Sequence, residues 1–161
     1  MIDRFKETTF SEVFDLLPLS NTIIRNSLSQ NIIFPESIYA SNYCGVFIQY
    51  EHNVNDFSKI LKKIRTENFF ESKIKDTCNV YIPIVKKEIH CSKQSFPVPN
   101  ITDDFNELKD KISDGKYVVF NHKKGEFLKD KTLLEGNFHG FSNGIILEES
   151  SNKVIYWTIV W

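Results

Sequence analysis

Three cysteines and four histidines are the residues of this chain best suited to bond-making chemistry: Cys44, Cys78 and Cys91, with His52, His90, His122 and His139. The adjacent His90-Cys91, with Cys78 and Cys44 upstream, invites a zinc site. Zinc proteins usually bring ligands in close pairs such as C-x2-C, and no such pair occurs here. The competing reading makes Cys44 and Cys78 small buried hydrophobes and lets His90-Cys91 close a strand. A thiol nucleophile with an imidazole base can be drawn from Cys91 or Cys44 with His122 or His139, but nothing in the flanking residues lowers a thiol pKa. P-loop, H-E-x-x-H and G-x-G-x-x-G patterns are absent, and no G-x-S-x-G nucleophile is expected. The expectation is therefore no catalytic residue, no metal and no cofactor. A thiol or metal enzyme using Cys91 and a histidine is kept as the third reading.

Two other constellations suit recognition. Asp103, Glu107, Asp110 and Asp114 recur at i, i+4, i+7 and i+11, which at 3.6 residues per turn is one stripe, with Asp104 beside it. Phe105, Leu108 and Ile112 take the opposite side, so the carboxylates should face solvent. A row of like charge gains little from its own helix. It is either a docking face for a cationic partner, whose complementary charge speeds association, or a solvated face whose first acids favour the helix dipole. The second is the glycine-rich run from Gly136 to Gly144, in which His139 stands between Phe138 and Phe141. It reads as a loop, either a contact surface gated by His139 or an irregular connection pinned by its phenylalanines.

These residues need elements to position them. Thr9-Phe10-Ser11-Glu12 has capping-box spacing, which predicts a short helix ending before Pro18. Asn21 to Gln30 is assigned a second short helix. Tyr43 to Glu51 reads as a strand with Cys44, Val46, Ile48 and Tyr50 on one face. Val54, Phe57, Leu61 and Ile64 repeat at three and four, giving a helix laid on a sheet with Lys59, Lys62 and Lys63 outward. Val80 to Ile89 alternates, but Pro83 confines it to an edge or a bulge. Gln94 to Asn100 is a Pro-punctuated connection, and Thr102 to Asp114 is the acidic helix. Lys116 to His122 is a strand leading to a turn at Lys123-Lys124-Gly125, and Asp130 to Gly144 a loop. Ile145 to Glu149 and Lys153 to Trp161 should pair as a hairpin across Ser150-Ser151-Asn152. The last strand is apolar on both faces, so it belongs at the centre of the sheet. The whole is one α+β domain spanning residues 1–161, mainly an antiparallel sheet with a few helices packed on it.

Composition narrows the class. The chain has 161 residues, 41% hydrophobic and 25% charged, which suits a folded protein with one core. Its 14 Phe, with Ala40 as the only alanine, favour strands over close helix pairs. Lys and Arg number 20 against 21 Asp and Glu, a formal charge of -1. That balance argues against holding nucleic acid by its phosphates. It also hides a polarity, because residues 51–100 carry 9 basic and 6 acidic side chains while residues 101–161 carry 8 and 10. The charged N-terminus leads into no apolar core of a signal peptide, and no apolar run of about 18 residues is present, so no membrane is expected. Three cysteines at irregular spacing suggest free thiols and a cytoplasmic location.

The run Asp114-Gly115-Lys116-Tyr117-Val118-Val119-Phe120-Asn121-His122-Lys123-Lys124-Gly125 is similar to a strand segment of the effector-binding domain of gyrase-inhibitor-like proteins. That resemblance implies a binding site for cationic, hydrophobic molecules, with Glu148 or Glu149 as the inward acid. The chain as a whole resembles in type the immunity proteins that bacteria pair with secreted or contact-delivered toxins: small, motif-free, α+β and bearing an acidic face. This second resemblance implies a cytoplasmic inhibitor in bacterial competition, a toxin-antitoxin relationship in which a basic, nuclease-type toxin is occluded through Asp103, Glu107, Asp110 and Asp114 with His139. It is the leading expectation, and the small-molecule binder is the alternative.

Overall fold

In the computed structural model the described residues are 7, 9–13, 29–33, 44–82, 91, 96–101, 112, 115–129 and 139–161, with 29–33 described by backbone alone. Residues of the C-terminal strand are apolar at successive positions, and burying both faces requires neighbours on both sides. Strand β8 (Lys153–Val160) accordingly lies between β2 (Cys44–Glu51) and β7 (Gly140–Glu148). The sheet continues outward to β1 (Ser29–Ile33) beyond β2, and to β6 (Lys116–Lys124) and β3 (Phe70–Lys73) beyond β7. The six strands run in the order β1-β2-β8-β7-β6-β3, every neighbouring pair antiparallel. The fold is α+β, with the last strand central as its composition demands.

Each face of the sheet carries its own core. On one, Val46, Ile48, Val118, Ile145 and Tyr156 meet Phe57 and Ile64 of helix α1 (Val54–Glu67). Asn53 caps that helix by accepting from the Asp56 amide at 3.0 Å, and Asn68 ends it in the left-handed region at φ 50°. Burying Phe57 and Ile64 stabilises the packing by about 2 kcal/mol apiece. Lys59, Lys62, Lys63 and Arg65 stay exposed on the outer side. On the other face Phe47, Tyr117, Ile155, Trp157, Ile159 and Trp161 pack under a separate ribbon, β4 (Val80–Ile82) and β5 (Pro97–Pro99), with Ile74, Ile101 and Ile112.

Several expectations need correction. Thr9 is buried and bridged to Leu128, and the described residues after it, Ser11–Val13, form a 3-10 turn, while the rest of the helix expected before Pro18 lies outside the described residues. The Phe10 amide donates to the Phe127 carbonyl at 3.2 Å, which ties this segment to the chain before Leu128. Ser29 and Gln30, placed at the end of a second helix, begin β1. The proline-marked connection contains a strand, because Pro97 and Pro99 need no donor where the ladder to β4 uses Asn100, whose amide reaches the Ile82 carbonyl at 3.1 Å. Gly140 to Gly144, assigned to a loop, is the first half of β7, where glycine serves close packing and not turning. The thiols are not all free either: Cys78 and Cys91 form a disulfide, and Cys44 alone is unpaired.

Candidate functional site

The residues with chemical potential fall into three places. The first lies where β6, β7 and the end of β8 meet. Register sets His122 opposite Ser142, and Gly140 exchanges two backbone hydrogen bonds of 3.0 Å with Trp161. A Cβ on Gly140 would stand 2.9 Å from Trp161 Cζ2, so only glycine lets the indole lie across the strand. The His122 ring then stacks on Trp161, centroids 6.0 Å apart and planes within 7°. Phe96 meets the same imidazole edge-on at 5.6 Å, and Phe70 meets Phe96 at 4.9 Å. A row of four rings results, ending at half-buried Phe70 on the outermost strand. Burial holds His122 below the ordinary imidazole pKa and Lys124 pushes the same way, against a hydrogen bond with the Phe141 backbone. His122 is thus a neutral, planar, aromatic-lined group at pH 7.

His139, the proposed gate, precedes β7 and is half-buried, and its carbonyl accepts from the Gly125 amide at 3.0 Å. Gly140-Phe141-Ser142-Asn143-Gly144 also carries the G-x-S-x-G spacing of a hydrolase nucleophile, a signal that reading the segment as a glycine-rich loop passes over. Its context removes that chemistry. A nucleophile elbow is a turn from strand to helix with an exposed hydroxyl. Ser142 lies inside a continuous strand, fully buried, and donates to the Pro97 carbonyl at 2.6 Å.

The second place is the opposite end of β2 and β8. His52 Nε2 lies 3.2 Å from the Tyr156 hydroxyl, and Tyr50 packs edge-on to the imidazole at 4.3 Å. Burial pushes the Tyr156 phenol up to about 12, reinforced by Tyr50. Burial lowers His52, with Asp56 opposing. The Tyr156 phenol therefore keeps its proton at neutral pH. Together with the His52 amide to Asn152 carbonyl bond of 3.0 Å, the pair fastens the entry of α1 to the β7–β8 turn.

The third place is that turn itself. Glu148 is buried, takes the Ser151 hydroxyl and lies 3.7 Å from Lys153 Nζ. Glu149 is exposed and 3.3 Å from Lys116 Nζ, which also holds Glu71 at 2.9 Å. Each carboxylate named for a cationic ligand therefore already has a lysine. Desolvation drives the Cys44 thiol up to about 12, so it stays protonated, and Cys91 is spent in the disulfide. Among the described residues no group of three His, Cys, Asp or Glu side chains is placed to hold a metal, and no helix is long and apolar enough to cross a membrane.

The acidic positions Asp103, Glu107, Asp110 and Asp114 lie outside the described residues, as do His90 and Phe138. Their neighbour Ile112 is described, and it is buried at 5% exposure in the core that holds Trp157 and Tyr117. Comparison with protein-family models, with curated proteins and with solved structures finds no match to this chain.

Proposed function

We propose that this protein is an immunity-type inhibitor that neutralises a basic toxin by covering it, with Asp103, Glu107, Asp110 and Asp114 as the docking face. The supporting observation is the spacing of those carboxylates. Ile112 is not itself helical, so its burial anchors the segment at that point, and the outward acidic row is inferred from the spacing of its carboxylates alone. An acidic row turned to solvent gains little from its own protein and most from a cationic partner. Groups fit for covalent chemistry at the three places above are buried, paired or bonded, which suits recognition by surface. Expecting three free thiols was the ground for a cytoplasmic location; the Cys78–Cys91 bond removes it, and neutralisation needs only that the partners meet.

The test uses the product of the neighbouring reading frame as the probe. Binding is followed by stopped flow at low and high salt, with survival of cells expressing both proteins as a second measure. Glu107→Lys with Asp110→Lys should slow association about tenfold at low ionic strength and converge with the parent protein near ~0.5 M salt. A neighbour product that does not bind, or rates unmoved by the double reversal, refutes the proposal.

A further inference from the structure

The ribbon β4–β5 cannot hold itself in place. Its strands have three residues each, its pairing is parallel, and two of the three β5 residues are prolines that donate nothing. It nevertheless helps cover one face of the sheet: Ile82 and Val98 are buried in the cluster holding Trp157 and Trp161, and β5 touches β6, β7 and β8. The anchors of β5 are side chains reaching up from the sheet. Ser142 donates to the Pro97 carbonyl at 2.6 Å and Tyr117 to the Pro99 carbonyl at 2.7 Å. The side-chain anchors of β4 lie at the turn before it. Asn79 donates to the Lys73 carbonyl at 2.9 Å, and Tyr81 donates to the Ile74 carbonyl. The disulfide closes on that same turn, joining Cys78 to Cys91 across a separation of 13 residues that encloses β4.

We propose that the Cys78–Cys91 disulfide is a redox-sensitive latch that keeps the β4–β5 ribbon seated over the tryptophan-bearing face of the sheet. A dithiol reductant supplies two electrons and two protons; the S–S bond breaks, both cysteines become thiols, and the reductant is oxidised to its own disulfide. Both cysteines are half-buried, within reach of a small dithiol. The third cysteine does not interfere, because Cys44 is buried in the core on the opposite face of the sheet. Opening the latch leaves the six-stranded sheet intact, since none of its ladders uses β4 or β5. It frees β4 from the loop constraint, so the ribbon opens at lower energy than the sheet.

Both tryptophans of the chain lie beneath this ribbon, which makes their fluorescence the reporter. The experiment titrates the full-length protein with dithiothreitol, counting thiols while measuring acrylamide quenching and far-ultraviolet circular dichroism. The expected result is an increase in the quenching constant of about twofold or more on reduction, with the sheet signal kept and both changes undone by reoxidation. Cys78→Ser with Cys91→Ser should show the raised quenching from the start and ignore the reductant. Unchanged quenching once the two thiols of Cys78 and Cys91 are counted overturns the latch. So does loss of the sheet signal on reduction, which makes the bond a staple of the whole fold. Should the double variant fail to fold, the reduced parent protein decides between these outcomes alone.

Discussion

Replacing Gly144 by alanine tests whether β7 is built as a strand under a tryptophan. Gly144 pairs with Val119 immediately before the register shift at Phe120, and its missing side chain faces Trp157. A Cβ there would fall on the Val118 carbonyl oxygen, closer than nonbonded atoms approach, with Trp157 Cζ2 3.0 Å away. The obstacle is backbone in the middle of the sheet, not the end of a flexible side chain, so relief means separating β6 from β7. Inserting a methyl into a packed core costs about 1–3 kcal/mol when side chains can move. With rigid backbone opposing, the expected loss is about 3–5 kcal/mol, a large part of the roughly 5–15 kcal/mol of a typical domain. Gly45→Ala is the control. Its Cβ meets Ile159 Cγ2, Phe47 Cε2 and the Thr158 oxygen at 3.0, 3.1 and 3.2 Å, contacts relieved by small shifts at about 1 kcal/mol. Urea unfolding at constant slope compares the two midpoints. If Gly144→Ala loses less than Gly45→Ala, the register of β6 on β7 is wrong and with it the placement of His122 opposite Ser142.

Ser142→Ala should cost about 1–2 kcal/mol in the same assay by stranding the Pro97 carbonyl; a variant as stable as the parent denies the bond. Thiol labelling without reductant should find no reactive cysteine in the native protein, one after denaturation and three after reduction, because Cys44 is buried with its pKa near 12 and the other two are joined; rapid native labelling contradicts this. His52 and His122 both have lowered pKa values in the fold, chiefly through burial, so the unfolded chain takes up protons first as pH falls below the ordinary value of 6.5. Stability should therefore be full above that pH and decline as pH drops toward the folded values. His122→Gln should flatten the decline, and an unaltered pH profile would speak against a half-buried imidazole with a lowered pKa.

Elements with one strong period were legible in the residues. Val54, Phe57, Leu61 and Ile64 announce α1 because a helix on a sheet buries one stripe, and the doubly apolar β8 announces its central place because only flanking strands hide both faces. The failures share a cause in contacts far along the chain. Glycine in a turn and glycine beneath an indole look alike in sequence, yet Gly140 and Gly144 are small because Trp161 and Trp157, which follow them by 21 and 13 positions, need the space. Pro97 and Pro99 resemble loop punctuation until Ser142 and Tyr117, on other strands, are seen to take their carbonyls. Free-thiol spacing likewise says nothing about Cys78 and Cys91, whose approach depends on the turn after β3. The His122 row joins residues 70, 96, 122 and 161, and no local pattern spans such distances. The acidic row stands apart from both groups: the spacing of its carboxylates matches a helix, whereas Ile112 beside it is buried at a position that is not helical.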